Sequence, residues 1–217
     1  MRIINEAEFV SKVQPALARQ DWDLLHQIIR TNWTADQLLH LLRHGGCDAR
    51  KVAALAIGMV GGNCALTLLA KLLQDQDPIV VEMAEHAMWQ IWFRGGCADA
   101  NRLVARGAEA LNMQDVDRAM EHLNRAIAMA PDFPEAYNQR AIAFYLSEQH
   151  HESIADSKRT IELMPLHFGA WAGMGHCFLA SGMLAEALDA YENALRINPH
   201  LQCVAELAQE IRERTKG

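Results

Sequence analysis

The chain has 217 residues, 51% of them apolar, and a formal net charge of −7 at pH 7. Lysine and arginine form no cluster along a helical face, so the composition disfavours binding to nucleic acid or to an anionic membrane. No apolar run approaches the roughly 20 residues that a membrane-spanning helix needs, and the acidic start of the chain does not resemble a secretory signal.

Apolar residues at helical spacing predict two helices near the N-terminus, over residues 6–19 and 21–30. Pro15 falls inside the first of them, where it is expected to kink the helix or to delay its start. Thr34 and Gln37 have the spacing of a capping box, which predicts that a third helix begins there.

A short repeat follows, because an offset of 31 residues aligns residues 41–60 with residues 72–91. Small and apolar residues then recur in both copies at the spacing of a buried helix face. Asp77 followed by Pro78 predicts a helix start, with a capping side chain and a proline at the first helical position. Residues 48–58 resemble the second helix of a HEAT repeat, so we expect about three HEAT-like helix pairs in this half of the chain.

Three prolines near the end of the chain, Pro131, Pro165 and Pro199, are each 34 residues apart. This period is typical of the tetratricopeptide repeat (TPR), a helix pair that stacks on copies of itself. The third unit has small residues where two helices should cross, aromatic residues between successive pairs, and a glycine in the turn. These residues are Trp171, Gly175, Phe178, Gly182, Ala187, Tyr191 and Ala194. The C-terminal half therefore resembles the TPR family.

The second unit departs from this pattern in its second helix. Ser153, Ser157 and Thr160 stand at positions where the family has small or aromatic residues. Because Ser157 replaces a large aromatic side chain, we expect the interface around it to be less well filled.

The two resemblances together imply an all-α protein, an α-solenoid (α-α superhelix). Residues 1–96 are expected to form HEAT-like helical repeats, and residues 97–217 three TPRs with a C-terminal capping helix. The repeats are expected at about 100–133, 134–167 and 168–201. Apolar residues at helical spacing predict the capping helix over residues 202–215, where it would cover the last apolar face.

In TPR arrays the first helix of each pair lines the inner, concave surface. Carried over position by position, this resemblance implies a peptide-binding groove that is mostly apolar, with a few hydrogen-bonding side chains. The groove residues implied are Asn101, Leu111, Asn112, Asn138, Ile142, Tyr145, His176 and Leu179. Such a groove suits an amphipathic helix or an extended peptide. The C-terminal helix or a second copy of the chain are alternative occupants.

TPR domains that bind chaperone tails use a clamp of lysine, arginine and asparagine side chains around a terminal carboxylate. At those positions this sequence has Val104, Ala108, Gln139, Gly169 and Gly173. The clamp is missing, so a chaperone tail with a terminal carboxylate is not the expected ligand.

Candidate catalytic and metal-binding residues are few. His40, His44 and Cys47 could approach one another, but nothing nearby completes a metal site, and a polar helix face is the favoured interpretation. His150 and His151 fall in a predicted turn, and the pair His176-Cys177 lacks a partner acid. We therefore expect no metal, no cofactor and no catalytic residue.

The predicted function is that of a non-enzymatic scaffold or adaptor that binds a protein or peptide. Five cysteines without a Cys-x-x-Cys motif favour a reducing cytoplasm. Two alternatives stay open. One is a HEAT-like lyase or accessory subunit of an enzyme complex, resembling chromophore lyases, with Cys47 or Cys64 as the reactive residue. The other is a structural homo-oligomer, for which a homodimer is the simplest form.

Overall fold

A computed structural model of the protein describes residues 4–215, which are α-helical and contain no β-strand. The all-α prediction is confirmed. The helices are α1 (Glu6–Ala18), α2 (Trp22–Asn32), α3 (Ala35–His44), α4 (Cys47–Val60), α5 (Leu66–Leu72), α6 (Pro78–Trp92), α7 (Ala98–Asn112), α8 (Val116–Met129), α9 (Pro134–Leu146), α10 (His150–Leu163), α11 (Phe168–Ala180), α12 (Leu184–Ile197) and α13 (Gln202–Arg214), with a 3₁₀ turn at Asn63–Ala65. Within the described range no helix is both long and apolar enough to span a bilayer.

The chain divides into two compact units, residues 1–91 and 92–217. The division lies five residues before the boundary expected at residue 96, because side chains of the intervening segment belong to the second core. Phe93 packs against the core cluster formed by α7, α8 and α9, and Trp92 stacks on His167 with ring centroids 4.0 Å apart.

Local sequence signals fix the helix starts of the N-terminal unit. The predicted capping box is present: the Thr34 side chain accepts from the backbone N–H of Gln37, and the Gln37 side chain accepts from that of Thr34. Asp77 accepts from the backbone N–H groups at the start of α6, as predicted. Pro15 lies inside α1 without interrupting it, so the expected delay of this helix is wrong.

The C-terminal unit contains three helix pairs, α7–α8, α9–α10 and α11–α12, followed by α13. Within each pair the two helices pack along their length, and α9 also contacts α7 and α11. The first helices of the three pairs therefore form one row. On the last pair, α13 buries Val204, Ala208 and Ile211 in a cluster with Tyr191 and Ala194, as expected of a capping helix.

One turn geometry joins the helices of all three pairs. Gln114, Glu148 and Gly182, spaced 34 residues apart, have positive φ angles of 61°, 60° and 74°. Each turn is closed by the same pair of backbone hydrogen bonds to the end of the preceding helix. Only Gly182 adopts this conformation without a steric cost.

The α1–α2 turn has the same geometry, since Gln20 has a φ of 54° and the same pair of backbone hydrogen bonds. The residues fully buried in this hairpin are Phe9, Val13, Ala16, Leu25 and Ile29. Counted from the turn, they occupy the positions that the TPR pattern gives to core residues. The first hairpin therefore shares its turn with the C-terminal repeats.

Small residues allow close helix crossings in the C-terminal unit, as the sequence predicts. A Cβ atom placed on Gly175 would lie 2.5 Å from the ring of Tyr191, and one on Gly107 would lie 2.7 Å from Leu123. Both glycines are therefore required by packing rather than by backbone conformation.

Two of the three polar residues of α10, Ser153 and Thr160, are accommodated by hydrogen bonds. Ser153, Ser157 and Thr160 are at most 2% exposed. The Ser153 hydroxyl donates to the carbonyl of Ala141 at 2.8 Å, and that of Thr160 donates to the carbonyl of Asp156 at 3.0 Å. These bonds offset much of the cost of burying hydroxyl groups in a helix interface.

Candidate peptide-binding groove

The row of first helices presents three apolar side chains to solvent from its middle member, α9. Ile142 is 39% exposed, Tyr145 40% and Leu146 50%. They lie at successive positions along one face because residues three and four apart are neighbours on a helix. We call these three residues the α9 patch. Two of them, Ile142 and Tyr145, are among the groove residues implied by the sequence.

Two imidazole rings lie near the ring of Tyr145. Its ring centroid lies 5.7 Å from that of His150 and 6.5 Å from that of His176. His176 in turn shares a hydrogen bond with the buried hydroxyl of Tyr191, with Nδ1 and the oxygen 2.7 Å apart. Burial lowers the pKa of His176 below its ordinary value, so its imidazole is neutral at pH 7 and belongs with the apolar surface.

The other expected groove residues divide into accessible and buried ones. Asn112 is exposed and Leu179 partly exposed, which leaves both available to a ligand. The Asn101 amide oxygen is already used, because it accepts from the backbone N–H of Gly96 at 2.9 Å. Leu111 and Asn138 are only 8% and 4% exposed, so the expectation that they line the groove is wrong.

Asn138 is buried together with a carboxylate to which its side chain donates. Glu135 is fully buried, and its Oε1 accepts from Asn138 Nδ2 at 3.1 Å and from Gln139 Nε2 at 2.7 Å. Its Oε2 lies 2.8 Å from Nε2 of His167, which is also fully buried. A buried carboxylate needs such donors to offset its lost hydration.

The tautomer of His167 follows from its second contact. Nδ1 accepts the backbone N–H of Ala170 at 3.1 Å, as a cap of α11. The proton therefore sits on Nε2 and is donated to Glu135. The ring of Trp92 stacks on this imidazole with an interplanar angle of 19°. In the sequence the network is hinted at by Glu135, Asn138 and Gln139, polar residues three and four positions apart on α9.

The positions where a carboxylate clamp would stand hold no cationic side chain. Val104 is fully buried, Ala108 is small, and the Gln139 amide is engaged by Glu135. Gly169 and Gly173 have no side chain to offer.

Reactive chemistry is disfavoured at two of the cysteines considered above, Cys47 and Cys177. The Cys47 thiol donates to Asp77 at 2.7 Å, and this hydrogen bond raises the pKa of Cys47. Burial raises the pKa of Cys177, whose sulfur lies 3.1 Å from the Ser153 hydroxyl. Since the thiolate is the nucleophile, both residues are poorly activated. Cys64 is exposed.

The histidines form no metal site within residues 4–215, where no group of three potential ligands is placed around one point. The rings of His40 and His44 lie 4.8 Å apart, whereas Cys47 points to Asp77. His150 and His151 begin helix α10, so their predicted place in the turn is wrong.

Residues 169–201 match the family model of the tetratricopeptide repeat. The match covers α11 and α12 of the C-terminal unit and corresponds to one repeat. The matched segment is the third repeat, which keeps every position of the pattern. The HEAT-like character of the N-terminal hairpins stays a prediction.

Several curated proteins, two of them named for the tetratricopeptide repeat, are similar to this chain. A TPR repeat-containing protein of Rhizobium etli is 27% identical over 150 residues, covering 69% of this chain and 74% of that protein. The small glutamine-rich tetratricopeptide repeat-containing protein 2 of Mycosarcoma maydis is 32% identical over 102 residues, 47% of this chain and 29% of the relative. The Hsp70-Hsp90 organizing protein of Triticum aestivum is 30% identical over 100 residues, 46% of this chain and 17% of the relative. The chain thus spans less than a third of the last two proteins.

Solved structures support the fold of the TPR unit. The first TPR of Spaghetti (RPAP3) bound to the HSP90 peptide SRMEEVD superposes with a TM-score of 0.53 at 19% identity, covering 55% of this chain and 94% of that one. The Sgt2 TPR domain from Aspergillus fumigatus gives a TM-score of 0.53 at 19% identity, covering 56% and 82%. At this level of identity the similarity concerns the fold alone.

Proposed function

We propose that the protein is a non-enzymatic, cytoplasmic adaptor that holds a segment of another protein against the row of first helices in its TPR unit. The observation that carries the proposal is the α9 patch, three exposed apolar side chains on the middle helix of that row. Helical repeat arrays use this surface to bind extended partners. The HEAT-like assignment of the N-terminal hairpins is kept as part of the proposal.

The chemistry of the surface defines the partner segment. The α9 patch, with the neutral ring of His176 beside it, favours apolar side chains, and the Asn112 amide offers hydrogen bonds to a peptide backbone. An amphipathic helix or a short extended segment meets both requirements. Because each patch residue is only half exposed, truncating one should cost about 1 kcal/mol of binding free energy, or about fivefold in affinity.

The relatives point to chaperone partners, but this chain lacks the side chains that would hold a chaperone tail. The RPAP3 domain binds the peptide SRMEEVD, and here the corresponding clamp positions hold no cation. We therefore propose a ligand recognised by its apolar side chains and independent of a terminal carboxylate. Titration with SRMEEVD should give no saturable signal, and tight binding of that peptide would contradict this part of the proposal.

The decisive experiment compares partners captured by the wild-type chain and by variants from a lysate of the native organism. The double variant Ile142→Ala/Tyr145→Ala should lose the specific partners while keeping the helical circular dichroism and melting temperature of the wild type. Met129→Ala is the matched control, because Met129 is 50% exposed on α8, outside the row of first helices. Retention of the same partners by the double variant at wild-type strength would overturn the proposal.

A further inference from the structure

A second apolar crevice lies between α10, α11 and α12 of the TPR unit and has a volume of about 630 Å³. Its apolar lining comes from Ile161, Trp171, Met174 and Phe178, of which all but Met174 are partly exposed. No residue of the α9 patch contributes to it.

The repeat provides an internal comparison for this crevice, because each lining residue has a counterpart 34 positions earlier. Tyr137 corresponds to Trp171, and Phe144 to Phe178. The counterpart of Met174 is Arg140, whose guanidinium carbon lies 5.7 Å from the ring centroids of both Tyr137 and Phe144. In the second repeat, a cation therefore occupies the equivalent space.

Polar partners fix that guanidinium in place. Arg140 donates to both carboxylate oxygens of Asp156, at 2.6 and 2.9 Å, and to the Asn124 side chain at 2.8 Å. The aromatic rings supply cation–π attraction, and the paired hydrogen bonds supply direction. The second repeat thus shows which chemistry this inter-repeat space accommodates.

The third repeat has lost both members of the internal ion pair. Met174 stands where Arg140 would be, and Ala190 stands where Asp156 would be. The two aromatic side chains remain, so the space keeps its aromatic walls but has no cation of its own.

Most of the charged side chains at the rim of the open crevice are carboxylates. Glu162, Glu186 and Asp189 lie there with a single cation, Lys158. Glu162 is engaged by Arg159 at 3.1 Å. Within the part of the chain that the structure describes, Glu186 makes no hydrogen bond or ion pair and is available to a ligand.

We propose that this crevice binds an arginine side chain of a partner protein, between Trp171 and Phe178 and beneath Glu186 and Asp189. The aromatic walls and the acidic rim together match a guanidinium. Arginine fits better than lysine because its planar group stacks on rings and donates to two oxygens at once. The site lies apart from the α9 patch and is a further interaction surface beyond the proposed function.

A minimal probe tests the site in the full-length chain. The acetylated and amidated pentapeptide ALRLA is titrated into ¹⁵N-labelled protein, and the indole N–H signal of Trp171, assigned with Trp171→Phe, is followed. The arginine peptide should shift this signal saturably. The same peptide with citrulline, which has the shape of arginine without its charge, should bind at least about tenfold more weakly.

Two variants of the chain locate the effect. Glu186→Gln/Asp189→Asn should weaken binding of the arginine peptide by about tenfold, since both rim charges are removed. Met174→Arg/Ala190→Asp transplants the internal ion pair of the second repeat and should abolish binding by filling the crevice. Tyr145→Ala should leave peptide binding unchanged, so the failure of this inference is distinguishable from failure of the proposed function.

Three results would overturn the inference. One is equal affinity for the arginine and citrulline peptides. Another is undiminished binding to Met174→Arg/Ala190→Asp or, if that variant does not fold, to Glu186→Gln/Asp189→Asn. The third is a dimer in light scattering that dissociates when the crevice is filled, which would assign the crevice to a second copy of the chain.

Discussion

The hydroxyl of Tyr191 and Nδ1 of His176 share a 2.7 Å hydrogen bond across the third repeat, beside the point where the tyrosine ring lies against the backbone of Gly175. Tyr191 is fully buried, and its ring occupies the space that a side chain on residue 175 would need. The contact therefore joins α11 to α12 by packing and by a polar bond at the same place.

Gly175→Ala should destabilise the protein by roughly 1–3 kcal/mol, because its Cβ would lie 2.5 Å from the Tyr191 ring, which cannot move in a filled core. Urea unfolding followed by circular dichroism measures the change. Gly173→Ala on the same helix is the control, since its Cβ would meet no atom within 4 Å. It should stabilise the protein by up to about 1 kcal/mol through helix propensity. Equal effects of the two substitutions would contradict the packing argument.

Stability should decrease in mild acid partly through His176. Burial lowers its pKa in the folded protein below the ordinary value of 6.5, so the unfolded chain binds the proton first as the pH falls. The free energy of unfolding contributed by this residue is therefore largest above about pH 6.5 and is lost as the pH falls towards the folded-state pKa.

His176→Gln should reduce the difference in unfolding free energy between about pH 7.5 and about pH 5.5, because glutamine keeps a hydrogen-bonding group without titrating. Urea unfolding at the two pH values is the measurement. An unaltered pH dependence in His176→Gln would show that another group is responsible.

Stability should rise when glycine is introduced into the turn of the second repeat and fall when glycine is removed from the turn of the third. Glu148 has a φ of 60° and Gly182 a φ of 74°. Glu148→Gly should stabilise the protein by about 0.5–1 kcal/mol, because relief of the left-handed strain exceeds the added entropy of the unfolded chain. Gly182→Ala should destabilise it by about 1 kcal/mol. The midpoints of thermal unfolding give both values, and a loss of stability in Glu148→Gly would refute the account of strain.

The buried carboxylate of Glu135 should be hard to replace. In Glu135→Gln, one oxygen becomes an amide N–H₂ that faces the Nε2 proton of His167 or the donors of Asn138 and Gln139. Such a mismatch in a buried network costs roughly 2–3 kcal/mol. Equilibrium unfolding would reveal it, with the exposed Glu206→Gln as a control that changes stability by less than about 0.5 kcal/mol. A neutral effect at Glu135 would mean that the network contributes no net stability.

Much of the fold of both units could be predicted because its signals are local. Pro131, Pro165 and Pro199 set the period, and the capping residues Thr34 and Asp77 set helix starts through atoms two or three residues away. The α9 patch could be predicted in part from the same local signals, since the repeat register places Ile142 and Tyr145 on one face of a helix.

The burial of Asn138 could not be read from that register. Tyr145 is 40% exposed, whereas Asn138 is 4% exposed and donates to Glu135, which also contacts His167, a residue distant in sequence. A position in a repeat defines the direction of a side chain, but only the packing of distant residues determines whether solvent reaches it.

The sequence by itself determined the all-α class, the 34-residue period, the helix caps and the lack of a carboxylate clamp, because each depends on residue type and spacing within one or two helices. Only the tertiary structure decided which groove positions are exposed, and that Arg140 fills one inter-repeat space while Met174 leaves the next one open. Those outcomes depend on contacts between helices: Asp156 holds Arg140 in one inter-repeat space, and neither residue has a counterpart in the next.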